Sequence, residues 1–407
     1  MALPFVRFPA EIQSIILDNL GPGDILNLLK HGIVSPGILT RRHVSIQDFW
    51  GDTMLHLMSI DTWDIGEELM AAIILRSRDV SIPNDRELTP LHSAVLQVNH
   101  TAVRLLIAAG AEVPNKECIY VGKTLLSDAI VLKDFDMVKL LLDGGARIDA
   151  DDTYDMQPLH HAASVGNLDA MHLLIERGAD LGVISMVGTP LHEAANTDHA
   201  DAAIMLLRSG ADPSAVNEYN GWTPMWLAAS EGHPQVARLL VQAGARNDIV
   251  LADENGITPL HLAAAGGQVR YHEAYHAACH HDEVFCSFTG AERVPDEDIP
   301  RYNAVLQVFI NAGIDVDACD EEGDTALHHA AAVGNVVAVG QLLRAGADVT
   351  RRTRTGRSAL AIAYSRGYQN VCHRLNRDRN LPNGVAFFLD VPNTNDFTAR
   401  RLRHIVG

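Results

Sequence analysis

The sequence predicts an all-α solenoid built from about nine stacked helix–turn–helix units, and three observations carry that prediction. A short phrase recurs as Thr89-Pro90-Leu91-His92, Gln157-Pro158-Leu159-His160, Thr189-Pro190-Leu191-His192 and Thr258-Pro259-Leu260-His261, with looser copies from Thr53, Thr124, Thr223, Thr325 and Ser358. Successive copies lie 32 to 36 residues apart, with one gap of 67. A second phrase, a leucine pair followed by Gly-Ala, trails six of the copies, as at Leu106…Gly110-Ala111 and Leu240…Gly244-Ala245. Self-similarity at this period marks a stacked repeat.

Each unit has a physical reading. Thr and Pro open the first helix, a hydroxyl cap followed by a residue with no N–H to satisfy. The Gly after the second helix permits the left-handed turn that releases the chain. Neither short helix can bury its apolar face alone, so neighbouring units must stack. Apolar residues make up 47% of the 407 and aromatics only 5%, so the core must come from Leu, Ala, Ile and Val. No apolar run is long enough for a membrane span. Five scattered cysteines without a C-x-x-C pair point to free thiols in a reducing compartment, cytoplasmic or nuclear. The net charge of −19 argues against nucleic acid and acidic lipid as partners. From Arg344 onward the balance reverses, with twelve Lys/Arg against four Asp/Glu.

The repeated phrases resemble the ankyrin repeat family over residues 49–375. The resemblance implies β-turn fingers between units and a structural role for His56, His92, His160, His192, His261 and His328, which bond within and between repeats. It also implies a monomer that holds a protein partner on a concave face of fingers and first helices. The residue before the motif Thr points into that face, which nominates Met156, Trp222 and Ile257. Tyr219 and Trp226, the latter in place of the motif histidine, extend the apolar run. Acidic tips at Asp149, Asp151 and Asp152, at Asp253 and Glu254, and at Asp320, Glu321 and Glu322 lead to the expectation of a partner with an apolar centre and basic rim. Gly122-Lys123-Thr124 lacks the earlier Gly of a phosphate loop, and no G-x-S-x-G elbow occurs.

Residues 1–48 precede the first unit. Ile12, Ile15, Ile16 and Leu20 fall at helical spacing behind Pro9, and Asp24 caps a second helix carrying Ile25, Leu28 and Leu29. This segment resembles an F-box, which would dock a cullin-ligase linker protein through Pro9, Glu11, Ile12, Ile16, Asp24 and Ile25. The third part of that family's pattern is poorly matched by His31 to Pro36. The plainer role is a cap on the first repeat.

The long gap places an insertion of about 34 residues, 268–302, between the two helices of the seventh unit. It contains His272-Glu273-Ala274-Tyr275-His276, the H-E-x-x-H pattern in which two imidazoles one helical turn apart hold zinc and the Glu serves as general base. His280 would lie roughly 12 Å along a helix from His272, too far to share the ion. The third ligand must then come from Asp282, Glu283, Cys286 or Glu292. An exposed Ala- and His-rich helix that widens the binding surface is the alternative. Residues 376–407 lose the pattern and form a cap or tail.

Three functions follow. The first is an adaptor, an F-box/ankyrin substrate receptor for a ubiquitin ligase or a regulatory scaffold. The second is a metal-dependent, hydrolase-like enzyme using the insertion beside the Tyr219, Trp222 and Trp226 cluster. The third is an ankyrin transcription coregulator. The repeats call for no cofactor, whereas the insertion would take zinc or another divalent metal.

Overall fold

The computed structural model describes residues 10–60, 65–115, 122–253, 256–267 and 299–378. The described elements are helical, apart from isolated bridges between Cys319 and Thr325 and between Arg352 and Ser358. The chain divides into two units, residues 1–186 and 187–407.

The first unit runs α1 (Ala10–Leu17), α2 (Pro22–Lys30), α3 (Arg41–Val44), α4 (Met54–Met58), α5 (Glu67–Ile74), α6 (Pro90–Leu96), α7 (His100–Ala108), α8 (Leu125–Val131), α9 (Phe135–Asp143), α10 (Pro158–Val165) and α11 (Leu168–Glu176). Helices α4, α6, α8 and α10 pack in succession as one layer, and α5, α7, α9 and α11 form the second. Helix α2 packs on α4 and buries Ile25, Leu26 and Leu29, so the N-terminal helices cover the first repeat. Thr40 and His43 cap α3 with the same reciprocal pair of bonds that opens the repeat helices.

The second unit runs α12 (Pro190–Asn196), α13 (Ala200–Arg208), α14 (Pro224–Ser230), α15 (Pro234–Gln242), α16 (Pro259–Ala264), α17 (Ile299–Asn311), α18 (Ala326–Val333), α19 (Val336–Arg344), α20 (Ala359–Ser365) and α21 (Gln369–Asp378). First helices α12, α14, α16, α18 and α20 again stack in order, as do α13, α15, α17, α19 and α21. Helix α17 has thirteen residues where α13, α15 and α19 have nine. Aligned on the glycine that follows each helix, the four additional residues 299–302 precede the nine-residue equivalent of the neighbouring helices, and Tyr302 among them is 5% exposed.

The motif histidines tie each stack together. Their Nδ1 atoms accept the N–H of the capping residue at 3.0–3.2 Å in the pairs Thr53–His56, Thr89–His92, Gln157–His160, Thr189–His192, Thr258–His261 and Thr325–His328. Five of them place Nε2 against a carbonyl of the following finger: His56 on Leu88, His160 on Val183, His192 on Trp222, His261 on Ala318 and His328 on Arg351, at 2.9–3.2 Å. That pairing fixes the neutral tautomer with the proton on Nε2. The second helices reach backwards, with Asn167 Nδ2 donating to the Ile130 carbonyl and His233 Nδ1 lying 2.8 Å from the Ala195 carbonyl.

Gly267 marks the departure point of the insertion. Its φ is +79°, and an added Cβ would meet the Ser230 carbonyl and the Tyr302 hydroxyl at 2.7 Å. Gly267→Ala is expected to cost about 2 kcal/mol, from the left-handed backbone and the overpacking together. Equilibrium urea unfolding checks this, and a loss below about 0.5 kcal/mol would contradict it.

Candidate interaction surface

The fingers are built by side chains that cap their own turns. Asp152 Oδ1 accepts the N–H groups of Tyr154 and Met156, and its Oδ2 lies 2.7 Å from His161 Nε2. Asp320 repeats the arrangement with Glu322, Asp324 and His329, the last at 2.8 Å. Asp253 Oδ1 accepts Ile257 N–H in the finger between α15 and α16. Burial opposes ionisation of Asp152, but hydrogen bonds from His161, Met156 and Tyr154 outweigh it and hold the carboxyl below its ordinary range.

Several acids expected on a rim therefore belong to the fold. Asp152, Asp253 and Asp320 are 5%, 9% and 8% exposed and point into their turns. Asp151, Glu321 and Glu322 remain on the surface, and exposed Asp149 pairs with Arg147 at 2.9 Å. The last finger has the opposite sign, with Arg351, Arg352, Arg354 and Arg357 all exposed.

The nominated apolar residues divide into two kinds. In the second unit Trp222 is half-buried and its ring stacks on Trp226, with centroids 4.2 Å apart and planes 7° apart. Trp226 itself is 2% exposed, because it occupies the inward position of the motif histidine, where its backbone N–H donates to the capping Thr223 hydroxyl. Ile257 is also buried, at 6%. Tyr219, in the same finger as Trp222, is 67% exposed. Met156 is half-buried in the first unit beside exposed Tyr154. Rings and charges at the surface of these fingers thus include Tyr154, Tyr219, half-buried Trp222, and the outer acids and arginines.

The N-terminal nominations divide similarly. Asp24 is exposed, Ile16 is half-buried, and Ile25 is fully buried, while Ile15 on α1 is 61% exposed. Pro9 and the side chains of Glu11 and Ile12 lie outside the described residues, as do His272, Glu273, His276, Asp282, Glu283, Cys286 and Glu292. Sequence reasoning overlooked His161 and His329. Their signal was a second His after the motif histidine together with an Asp nine residues upstream.

No described helix is long and apolar enough to cross a membrane. Comparison with known proteins agrees with the architecture. A family description, ankyrin repeats in three copies, matches residues 63–152, 114–185, 191–274 and 301–381. The NF-kappa-B p105 subunit of Mus musculus is 36% identical over 143 residues, covering 34% of this chain and 14% of that protein. The chain thus matches only a small part of that relative's length. The probable 26S proteasome regulatory subunit p28 of Saccharomyces cerevisiae is 28% identical over 189 residues, covering 45% of this chain and 68% of that protein. The human ASB11 ankyrin repeat domain superposes with a TM-score of 0.50 at 23% identity, over 64% of this chain and all of that one, which shows the shared fold. Ankyrin repeats mediate binding between proteins. With its repeated capped helices and family matches over most of its length, this chain belongs to the ankyrin repeat family.

Proposed function

We propose that this protein is an ankyrin adaptor: its fingers and first helices hold a partner protein, and its N-terminal helices connect that partner to ubiquitin-ligase machinery. The observation that carries the first half is the division of labour in the fingers. Motif histidines and finger aspartates are consumed by capping and bridging, so the side chains left at the surface are recognition groups such as Tyr219, Glu321, Glu322 and Arg354. Their charges suit a partner that presents basic groups to the acidic fingers and acidic groups to the last one. The ligase half rests on the F-box-like sequence, on exposed Ile15 and Asp24, and on the likeness to a proteasome regulatory subunit.

Site-specific photo-crosslinking tests the first half. A crosslinker at Tyr219 or Glu321 is expected to capture partner protein in cells, and one at exposed Val337 on the second-helix layer is not. Capture at Val337 alone would overturn the assignment of the face. For the ligase half, purified cullin-ligase linker protein is expected to bind the full chain with micromolar affinity. Ile15→Asp is expected to abolish that binding without changing thermal stability. Absence of any interaction would remove the ligase connection and leave a scaffold or coregulator.

A further inference from the structure

We propose that Asp320, Asp324 and His329 form a divalent-cation site in the finger that leads into α18. Among the described residues three fingers that open on a buried aspartate share one construction and differ at two positions, and the finger of half-buried Asp48 repeats it with Asp52 and Leu57. Each begins with a buried aspartate, Asp152, Asp253 or Asp320, whose Oδ1 accepts the backbone N–H four residues later at 2.7–2.9 Å. The residue at that fourth position is Met156, Ile257 or Asp324, and the residue nine after the aspartate is His161, Leu262 or His329. The Asp253 finger closes with Ile257 and Leu262, so the turn needs neither a carboxylate nor an imidazole at these positions.

Only in the third finger do both polar groups occur together. One ligand atom from each of Asp320, Asp324 and His329 lies within 4.8 Å of the others. Asp324 is half-buried, but its Oδ1 is shielded from solvent and accepts no hydrogen bond, a cost that the Asp152 and Asp253 fingers avoid with an apolar side chain and the Asp48 finger avoids through Asn84 Nδ2 donating to Asp52. A cation at this point would give that oxygen its partner.

The donor set is two carboxylate oxygens and one imidazole nitrogen, which suits zinc or manganese with water completing the shell. Asp320 Oδ1 stays on its backbone N–H groups, and Oδ2 is the ligand. The proton that His329 Nε2 shares with Asp320 leaves to solvent when the metal takes its place. His261 lies 5.0 Å from His329 between ring centroids but is not a ligand, because its nitrogens are engaged with Thr258 and the Ala318 carbonyl. Glu322 and Arg357 supply opposite charges at the edge of the site.

Zinc binding to the tag-free full chain tests the proposal by equilibrium dialysis and by hydrogen exchange of the finger. The His272→Ala/His276→Ala variant is expected to retain this site. Asp324→Ile and His329→Leu, which copy the sister finger and so preserve the fold, are each expected to lower the zinc stoichiometry by one equivalent. Zinc is also expected to slow amide exchange over 320–329 in the parent and not in these two variants. Unchanged stoichiometry in both variants, or exchange over 320–329 indifferent to zinc in the parent, would overturn the proposal.

Discussion

Trp226→Ala is expected to destabilise the 187–407 unit by about 4 kcal/mol, near the top of the range for deleting a large buried ring. Trp226 is 2% exposed and carries the stacked ring of Trp222, so its removal leaves a cavity and also frees the neighbouring indole. In a repeat stack each unit rests on its neighbours, so the loss should spread to α16 and α12, which pack on α14. Trp226→His should cost less than the alanine change. It restores the motif residue beside Thr223, whose hydroxyl already accepts the backbone N–H at this position. Urea unfolding followed by circular dichroism measures both, and hydrogen exchange locates the damage. A loss below about 1 kcal/mol for the alanine variant would show that the stack tolerates a hole there.

Acidification should weaken the protein well before its carboxylates titrate. Burial, together with the neighbouring His56, lowers the His92 pKa from 6.5 to about 4. A group held neutral in this way contributes its full stability above the unfolded value and loses it as the pH falls toward the folded value. The sign follows because the unfolded chain binds the proton first. At about pH 5 the deficit from His92 alone is about 2 kcal/mol. His56, His261 and His328 shift in the same direction, each chiefly through burial. Asp152 and Asp320 are held below the ordinary 3.8, so their contribution persists through this window and fails only in stronger acid. Urea midpoints measured between about pH 7 and about pH 5 check the direction, and a flat profile would contradict it.

The repeats were legible because capping chemistry is local. A Thr three residues before a His specifies both a helix start and the bond that closes it, and the structure places that pair at five motif positions, with Gln157 replacing the Thr at a sixth. The same signal at Thr40 and His43 went unread, since it stands outside the period. Side-chain direction was less legible. Asp152, Asp253 and Asp320 read as surface acids by composition, but a turn with unsatisfied N–H groups draws them inward. Trp226 read as part of a surface cluster, but the motif position it fills is an interior one. The candidate cation ligands were missed because they become neighbours only when the finger folds back on α18.

The forward ladder of histidine bonds is indifferent to how much chain lies between its rungs. His192 reaches Trp222 across 30 residues and His261 reaches Ala318 across 57, at the same 3.1 Å. Register is thus kept by contacts between layers, while the covalent path between α16 and α17 is free to vary. Loop-closure cost grows only with the logarithm of length, about 0.6 kcal/mol for each doubling. The junction between Gly267 and Ile299 is therefore a socket, where a foreign domain can be grafted without rewriting the repeats on either side.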